Sequence, residues 1–369
     1  MAPAETTAVA PMIDGLRQLH ADVRRCWTGG WHVRSARAVV HVLEREDRHA
    51  EARKETESMT SSCRLLTIVG AAALALMPAR AQAQDVPAPY KDVLTFLGKQ
   101  GDFKDAVLKV NIPRNDVAVT VKGVKTPTPF GFGGWVALTK GGSMDVMMGD
   151  LVLLQDEVNP VLSALLQNGI DVTALHNHFF GDEPRMFYMH VHAHGAPMDL
   201  ARKVKPALDL IGRASSAPPP AAASAAGAPA LDTAKLAQVA GHQGEQTGAV
   251  YKITVGRDDL KLAEMGAPIN ARMGLNTWAA FVGSNDNAAI AGDVAMLASE
   301  VTPVLKALRD HGLDVVAIHH HMTGTQPTIF FLHYWATGPA DKLAAGFRAA
   351  LDQLGHDSSK SSTSSRRGK

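Results

Sequence analysis

The chain has 369 residues, 46% hydrophobic and 20% charged, which is long enough for two ordinary domains with apolar cores. Its 37 Lys+Arg nearly balance 36 Asp+Glu, and no basic run precedes the C-terminal tail. Nucleic acid, which needs a basic face to replace counterions, is therefore not an expected partner.

In chain order, residues 59–83 read as a secretory leader that starts at an internal methionine. Met59 opens a short segment with Arg64, an apolar run follows from Leu65 to Met77, and Ala79-Arg80-Ala81 or Ala81-Gln82-Ala83 offers a small-x-small cleavage site. A run of about thirteen residues is too short to cross roughly 30 Å of hydrocarbon, so no stable membrane span is expected after processing. Leaders act from an N-terminus, so residues 1–58, rich in Arg and His, read as an over-long gene start. The rival reading is a cytoplasmic extension followed by a signal anchor. The expected location is periplasmic or secreted.

Cys26 and Cys63 both precede the cleavage site, leaving the processed chain without a disulfide or a thiol ligand. Cys63 also precedes the apolar run, so it is no lipoprotein acceptor. Residues 1–81 hold 11 Lys+Arg and 9 Asp+Glu, which leaves 26 and 27 from Gln82 onward, a net charge of about −1.

From residue 88 the chain repeats itself at a constant offset of 143 without a gap. Gly98, Gln100 and Gly101 match Gly241, Gln243 and Gly244. Lys109 matches Lys252, Trp135 matches Trp278, and Gly149-Asp150 matches Gly292-Asp293. Glu157, Val158, Pro160, Val161 and Leu162 match Glu300, Val301, Pro303, Val304 and Leu305, and Gly212 matches Gly355. The Ala/Pro/Ser stretch 214–230, with Pro218-Pro219-Pro220, reads as a linker between units 88–213 and 231–356. Residues 357–369, made largely of Ser, Lys and Arg, read as a disordered tail.

Within a unit, Val117, Val119 and Val121 alternate as in a half-buried strand, and Trp135–Leu138 and Met147–Leu154 read as further strands. A helix follows, with Asp156 (Ser299 in the twin) as N-cap, Pro160/Pro303 in its first turn and Gly169/Gly312 at its end. Val158, Val161, Leu162 and Leu165 supply its buried stripe. Strands around Val172–His178 and Met186–His194 come next, then a helix carrying Leu200, Val204, Leu208 and Ile211. The expected class is α+β: two tandem homologous units, pseudo-two-fold related, each an antiparallel sheet packed with two main helices.

Nine of the twelve histidines after the leader fall in two windows: His176, His178, His190, His192 and His194, and His319, His320, His321 and His333. Period two puts His176 and His178 on one strand face and His190 on a face of the next strand. With a turn at Gly181-Asp182-Glu183-Pro184, a register pairing His176 with His190 and His178 with Tyr188 brings three imidazoles together. His319, His321 and His333 repeat the pattern. Three imidazoles with an open position suit a divalent transition metal, Zn or Cu first, and a small-molecule ligand beside it. The bland alternative is a hydrogen-bonded polar seam. Met144, Met147 and Met148 could hint at copper, but a core strand is the simpler role. His192 and His194 have Trp335 and Thr337 as twins and lie outside the shared pattern.

The string His176-Asn177-His178-Phe179-Phe180-Gly181-Asp182-Glu183-Pro184-Arg185, after Gly149-Asp150-Leu151-Val152-Leu153 and Glu157-Val158-Asn159-Pro160-Val161, resembles the LppY/LpqO family, domain of unknown function 1259. The resemblance covers both units and implies no reaction. The second copy has His320 for Asn177, Gln326 for Glu183 and Thr328 for Arg185. Glu183 is thus the candidate general base toward a metal-bound water, and Arg185 the candidate anchor for an anionic group. A plain turn with a surface arginine is the alternative. Glu157 and Glu300 face a similar choice between chemistry and a helix start. Gly131-Phe132-Gly133-Gly134 precedes a strand rather than a helix and reads as a turn, not a phosphate loop. Three functions remain open on these residues: metal-dependent chemistry, metal binding without turnover, and a ligand-binding or structural module that needs no metal.

Expression from Met59 is expected to yield an exported protein whose first residue follows Ala81 or Ala83, as read by N-terminal sequencing. Recovery of intact Met1 would sink the leader.

Overall fold

Strand alternation in the first repeat builds one six-stranded antiparallel sheet. Helix α1 (Ala88–Leu97) leads into β1 (Gly101–Lys104), β2 (Val107–Pro113), the short hairpin β3 (Val119–Val121) and β4 (Val124–Thr126), then β5 (Gly133–Lys140) and β6 (Asp145–Leu154). Helix α2 (Val158–Gln167), β7 (Asp171–His176), the two-residue β8 (Asp182–Glu183), β9 (Met186–Gly195) and α3 (Pro197–Leu208) complete it. The main sheet has the order β1-β2-β5-β6-β9-β7, and β4-β3-β8 form a small separate sheet. These statements rest on a computed structural model that describes residues 85–213 and 231–355. The expected extension 1–58, leader 59–83, linker 214–230 and tail 357–369 lie outside the described residues.

The second repeat follows the same plan. It runs α4 (Thr233–Ala240), β10 (Gly244–Thr247), β11 (Val250–Gly256), β12 (Leu262–Glu264), β13 (Ala267–Ile269), β14 (Asn276–Gly283), β15 (Ala288–Leu297), α5 (Ala298–Asp310), β16 (Asp314–His319), β17 (Ile329–Gly338) and α6 (Ala340–Leu351). Its sheet order, β10-β11-β14-β15-β17-β16, is that of the first repeat element for element. The α+β class and the doubled unit are thus as expected. No described helix is long and apolar enough to cross a membrane.

Period two gives each sheet two different faces. Leu108, Val110, Val136, Leu138, Met147, Leu151, Met189 and Val191 pack under α1, α2 and α3, and Ile253, Phe281, Ile290, Val294, Leu332 and Tyr334 pack under α4, α5 and α6. The opposite faces meet each other. One mixed cluster joins Phe130, Phe132, Val152 and Tyr188 to Ala280, Ala291 and Trp335. Its two-fold counterpart joins Val107, Ala137 and Met148 to Met273, Leu275, Ala295 and Phe331. The layers therefore run helices, sheet, sheet, helices, with the repeats face to face. Glycine at 149 is required at the centre of β6, where a Cβ would lie 2.8 Å from Val191 Cγ2 and 2.9 Å from the Trp135 carbonyl.

Local expectations differ at the helix starts. Asp156 and Ser299 do not cap, since α2 begins after Glu157 and α5 already includes Ser299. Glu157 and Glu300 instead brace the chain entering each helix: their carboxylates accept the N–H of Leu154 at 2.8 Å and of Leu297 at 2.7 Å. Each also holds a buried arginine, Arg114 to Glu157 at 2.6 Å and Arg257 to Glu300 at 2.8 Å, and accepts the N–H of Gly212 or Gly355 at 2.7 Å. One carboxylate thus ties a strand end, a helix start and the segment after the last helix. Glu157 and Glu300 have this structural role, which also explains why Gly212 and Gly355 share the offset. Val117 lies ahead of its expected strand, which starts at Val119, because Arg114 and Asp116 turn the chain there.

Glu157→Ala leaves the buried Arg114 guanidinium with the Val152 carbonyl and, as its acidic partner, the part-exposed Asp116. Urea unfolding is expected to register a loss of about 3–5 kcal/mol, and a loss below about 1 kcal/mol would mean that the network holds nothing together.

Candidate functional site: a histidine cluster between the repeats

Cross-strand register sets up the site. On the inner face of the first sheet, Trp135 pairs with Asp150, Asp150 with His190, and His190 with Ala174, a single row across four strands. Trp278, Asp293, His333 and Ala317 form the same row in the second. A β-bulge between Val172 and Ala174, and its twin between Val315 and Ala317, then decides where the first histidine of each window points. Asp171 pairs with inner-face His192 and Val172 with helix-face Val191. Without the extra residue, period two would send His176 to the helix side. With it, His176 pairs with Tyr188 and lies between the sheets, a re-aiming that bulges perform. The bulged residue Thr173 reaches across and donates its hydroxyl to the His321 carbonyl at 2.8 Å.

This register corrects the expected one. His176 faces Tyr188, not His190, a shift of two residues, and His178 lies beyond the end of β7. An even shift keeps the face, so the imidazoles still converge, but across the repeats. The rings of His176 and His319 stack at 3.7 Å between centroids. His178 lies 3.5 Å from His333, and the two-fold image of that pair, His190 and His321, 4.0 Å apart. Each outer imidazole stacks on an aromatic ring, His178 on Tyr188 at 3.3 Å and His321 on Phe331 at 3.4 Å.

Three groups bring ligand atoms within 4.8 Å of one another: His176, His178 and His333; His176, His190 and His319; Asp293, His319 and His333. Two of the three draw on both repeats, so the expectation of one self-contained cluster per hairpin gives way to a shared centre.

Burial gives these rings their chemistry. The Nε2 atoms of His176, His178, His190, His319, His321 and His333 are all buried and lack a hydrogen-bond partner among the described residues. The nearest approach, His321 Nε2 to Asp293 Oδ2 at 3.4 Å, is not aligned as a hydrogen bond. Desolvation, helped by neighbouring imidazoles, pulls His176 and His321 down to about 3 and His319 to about 2. His178, His190 and His333 are likewise held far below the usual value. The six are therefore neutral at pH 7, the protonation state of a metal ligand.

Asp150 and Asp293 were not singled out for chemistry in the sequence. Burial raises both to about 7, with the Asp293 charge adding to Asp150 and the His319 ring opposing at Asp293. The available signal was an acid repeated at the offset inside an apolar strand. Lys109 and Lys252, also repeated, lie over Trp135 and Trp278 at 4.3 and 3.9 Å from the ring centroids.

Other expected residues fall elsewhere. Glu183 and Arg185 are solvent-exposed, Glu183 on β8 opposite Thr120, while the imidazoles are buried. His320 hydrogen-bonds the Ile329 carbonyl through Nδ1 at 3.1 Å, as its twin Asn177 does to Met186 at 2.7 Å, so it braces the loop. Met147 packs under the helices, Met148 packs between the sheets, and Met144 is exposed.

The chain is thus a doubled α+β unit closed on a histidine cluster that both repeats share. Residues 91–210 and 234–353 each match the family described as Domain of Unknown Function (DUF1259), and the chain belongs to that family. No curated protein matches it. Among solved structures, the trimeric bacterial microcompartment shell protein PduB is 12% identical, covering 69% of this chain and 93% of its own, with a TM-score of 0.17. EtuB from Clostridium kluyveri is 10% identical, covering 75% and 93%, with a TM-score of 0.17.

The histidines dictate a pH response in metal-free protein. Their folded pKa values lie below the unfolded value of about 6.5, so the unfolded chain binds more protons below that pH, and stability is lost as pH falls from there toward about 3. Asp150 and Asp293, raised to about 7, act in the opposite sense between the unfolded carboxylate value and pH 7. Six histidines outweigh two acids, so the urea midpoint is expected to drop between pH 6.5 and 4.5. A flat or rising midpoint would contradict neutral burial.

Proposed function

We propose that this is an exported protein that binds a divalent first-row transition metal, zinc or copper first, at a centre shared by its two repeats. The observation that carries the reading is the set of six buried imidazole Nε2 atoms without hydrogen-bond partners. An imidazole seam kept for structure would have its nitrogens hydrogen-bonded, because an unpaired buried polar group costs about 1–3 kcal/mol. His320 shows what a bracing histidine looks like in the same loop.

His176, His178 and His333 would hold an ion, and the sets His176, His190 and His319 or Asp293, His319 and His333 offer overlapping donors, the last with a carboxylate oxygen. An imidazole-rich, sulfur-free donor set suits zinc or copper. The bound ion would supply Lewis acidity or redox chemistry according to its identity. Glu183 and Arg185, exposed at a turn, are assigned no part in holding it. The reading is metal binding, and it names no reaction.

Untagged protein from the export compartment is expected to carry near-stoichiometric metal by elemental analysis. His178→Ala and His333→Ala, in different repeats, are each expected to remove the same ion. Metal-free folded protein would overturn the reading, and independent partial losses from the two variants would return the site to separate repeats.

A further inference from the structure

Lys109 and Lys252 stand on β2 and β11, on the inner faces of the two sheets, in equivalent positions of the two repeats. Each ammonium lies over the indole of its own repeat, Trp135 at 4.3 Å or Trp278 at 3.9 Å. Both lysines are half-buried, and neither makes a hydrogen bond or ion pair among the described residues. Asp150 and Asp102 act on Lys109, and Asp293 and Asp150 on Lys252, but none reaches an ammonium as an ion pair. Asp293 belongs to one of the groups able to hold a metal, and one Asp150 oxygen is buried without a partner.

Packing alone does not account for this pair. A lysine over an indole gains about 0.5–2 kcal/mol, but two like charges between the same two sheets repel. Burial lowers both lysines to about 8, with Lys252 adding to the effect on Lys109. A methionine would fill either place without charge. Ammonium groups held over an indole without an ion-pair partner are completed by an anion, and they remain largely protonated at pH 7.

We infer that Lys109 and Lys252, with Trp135 and Trp278, form a subsite between the repeats that binds a small oxyanion, a carboxylate or a phosphate group. It adjoins the histidine centre, since the row Trp135, Asp150, His190 leads from indole to imidazole in three neighbouring strands. The inference goes beyond metal binding and stands on different atoms, so either can fail alone.

Trp135 and Trp278 are built-in reporters. In the full chain, titration with inorganic phosphate or with succinate, against chloride of matched ionic strength, is expected to give a saturable fluorescence change. The double variant Lys109→Met, Lys252→Met is expected to lose affinity at least about tenfold, while circular dichroism and metal content stay unchanged. A response to phosphate alone assigns a phosphoryl ligand, and one to succinate alone a carboxylate. No saturable response to either, or an unchanged midpoint in the double variant, overturns the subsite. Should that variant misfold, reductive methylation of the wild-type chain followed by peptide mass spectrometry decides. Protection of both lysines by the responding anion supports the subsite, and equal labelling with and without it overturns it.

Discussion

Six imidazoles buried between two sheets impose the constraint on which the rest depends. Leaving their nitrogens unpartnered costs roughly 1–3 kcal/mol each, which for six approaches the whole net stability of an ordinary domain, about 5–15 kcal/mol. Such a centre persists only if the surroundings close firmly enough to offset that loss. Here the closure is apolar. Phe130, Phe132 and Trp335 wall one flank, and Met273, Leu275 and Phe331 wall the other. Tyr188 and Phe331 stack on the outer rings at 3.3 and 3.4 Å and fix their planes.

Duplication explains how such a centre is reached economically. A single sheet with a row of Trp, Asp and His on one face would expose that row to water. A second copy turned face to face covers it and doubles the donors. Cross-repeat contacts then set the alignment: Arg272 with Asp102 at 2.7 Å, Lys122 with Asp314 at 3.4 Å, and the Thr173 hydroxyl on the His321 carbonyl. The exposed Lys122 pair adds little, whereas the Thr173 bond lies beside the histidines and fixes the bulge.

The two halves are not interchangeable, and their departures are coupled. Val121 and Trp335 share one apolar flank, and their twins are Glu264 and His192, which lie 3.0 Å apart in the other. An apolar pair has thus been exchanged for a polar one at matching places. Asn177 and His320 do the same bracing work with different side chains. Tyr188 brings a buried hydroxyl to one side that Phe331 lacks on the other. The centre is therefore pseudo-symmetric in position but not in chemistry.

Much of the architecture was legible in the residues. The offset of 143 identifies the doubled unit, because a repeated fold needs the same glycines, prolines and apolar positions in the same places. Period two and the helical stripe locate the main strands and helices, and the histidine windows locate the centre. The helix caps were misread because Glu157 and Glu300 draw their value from Arg114 and Arg257, 43 residues away in each repeat. The residues alone fix the unit, its duplication and the identity of the converging histidines, all matters of local pattern. Long-range packing sets the rest: the sheets meet face to face, bulges at Thr173 and Val316 turn His176 and His319 inward, and the imidazoles form one shared cluster. Those outcomes depend on pairing between distant segments, where one added residue reverses which face a side chain occupies.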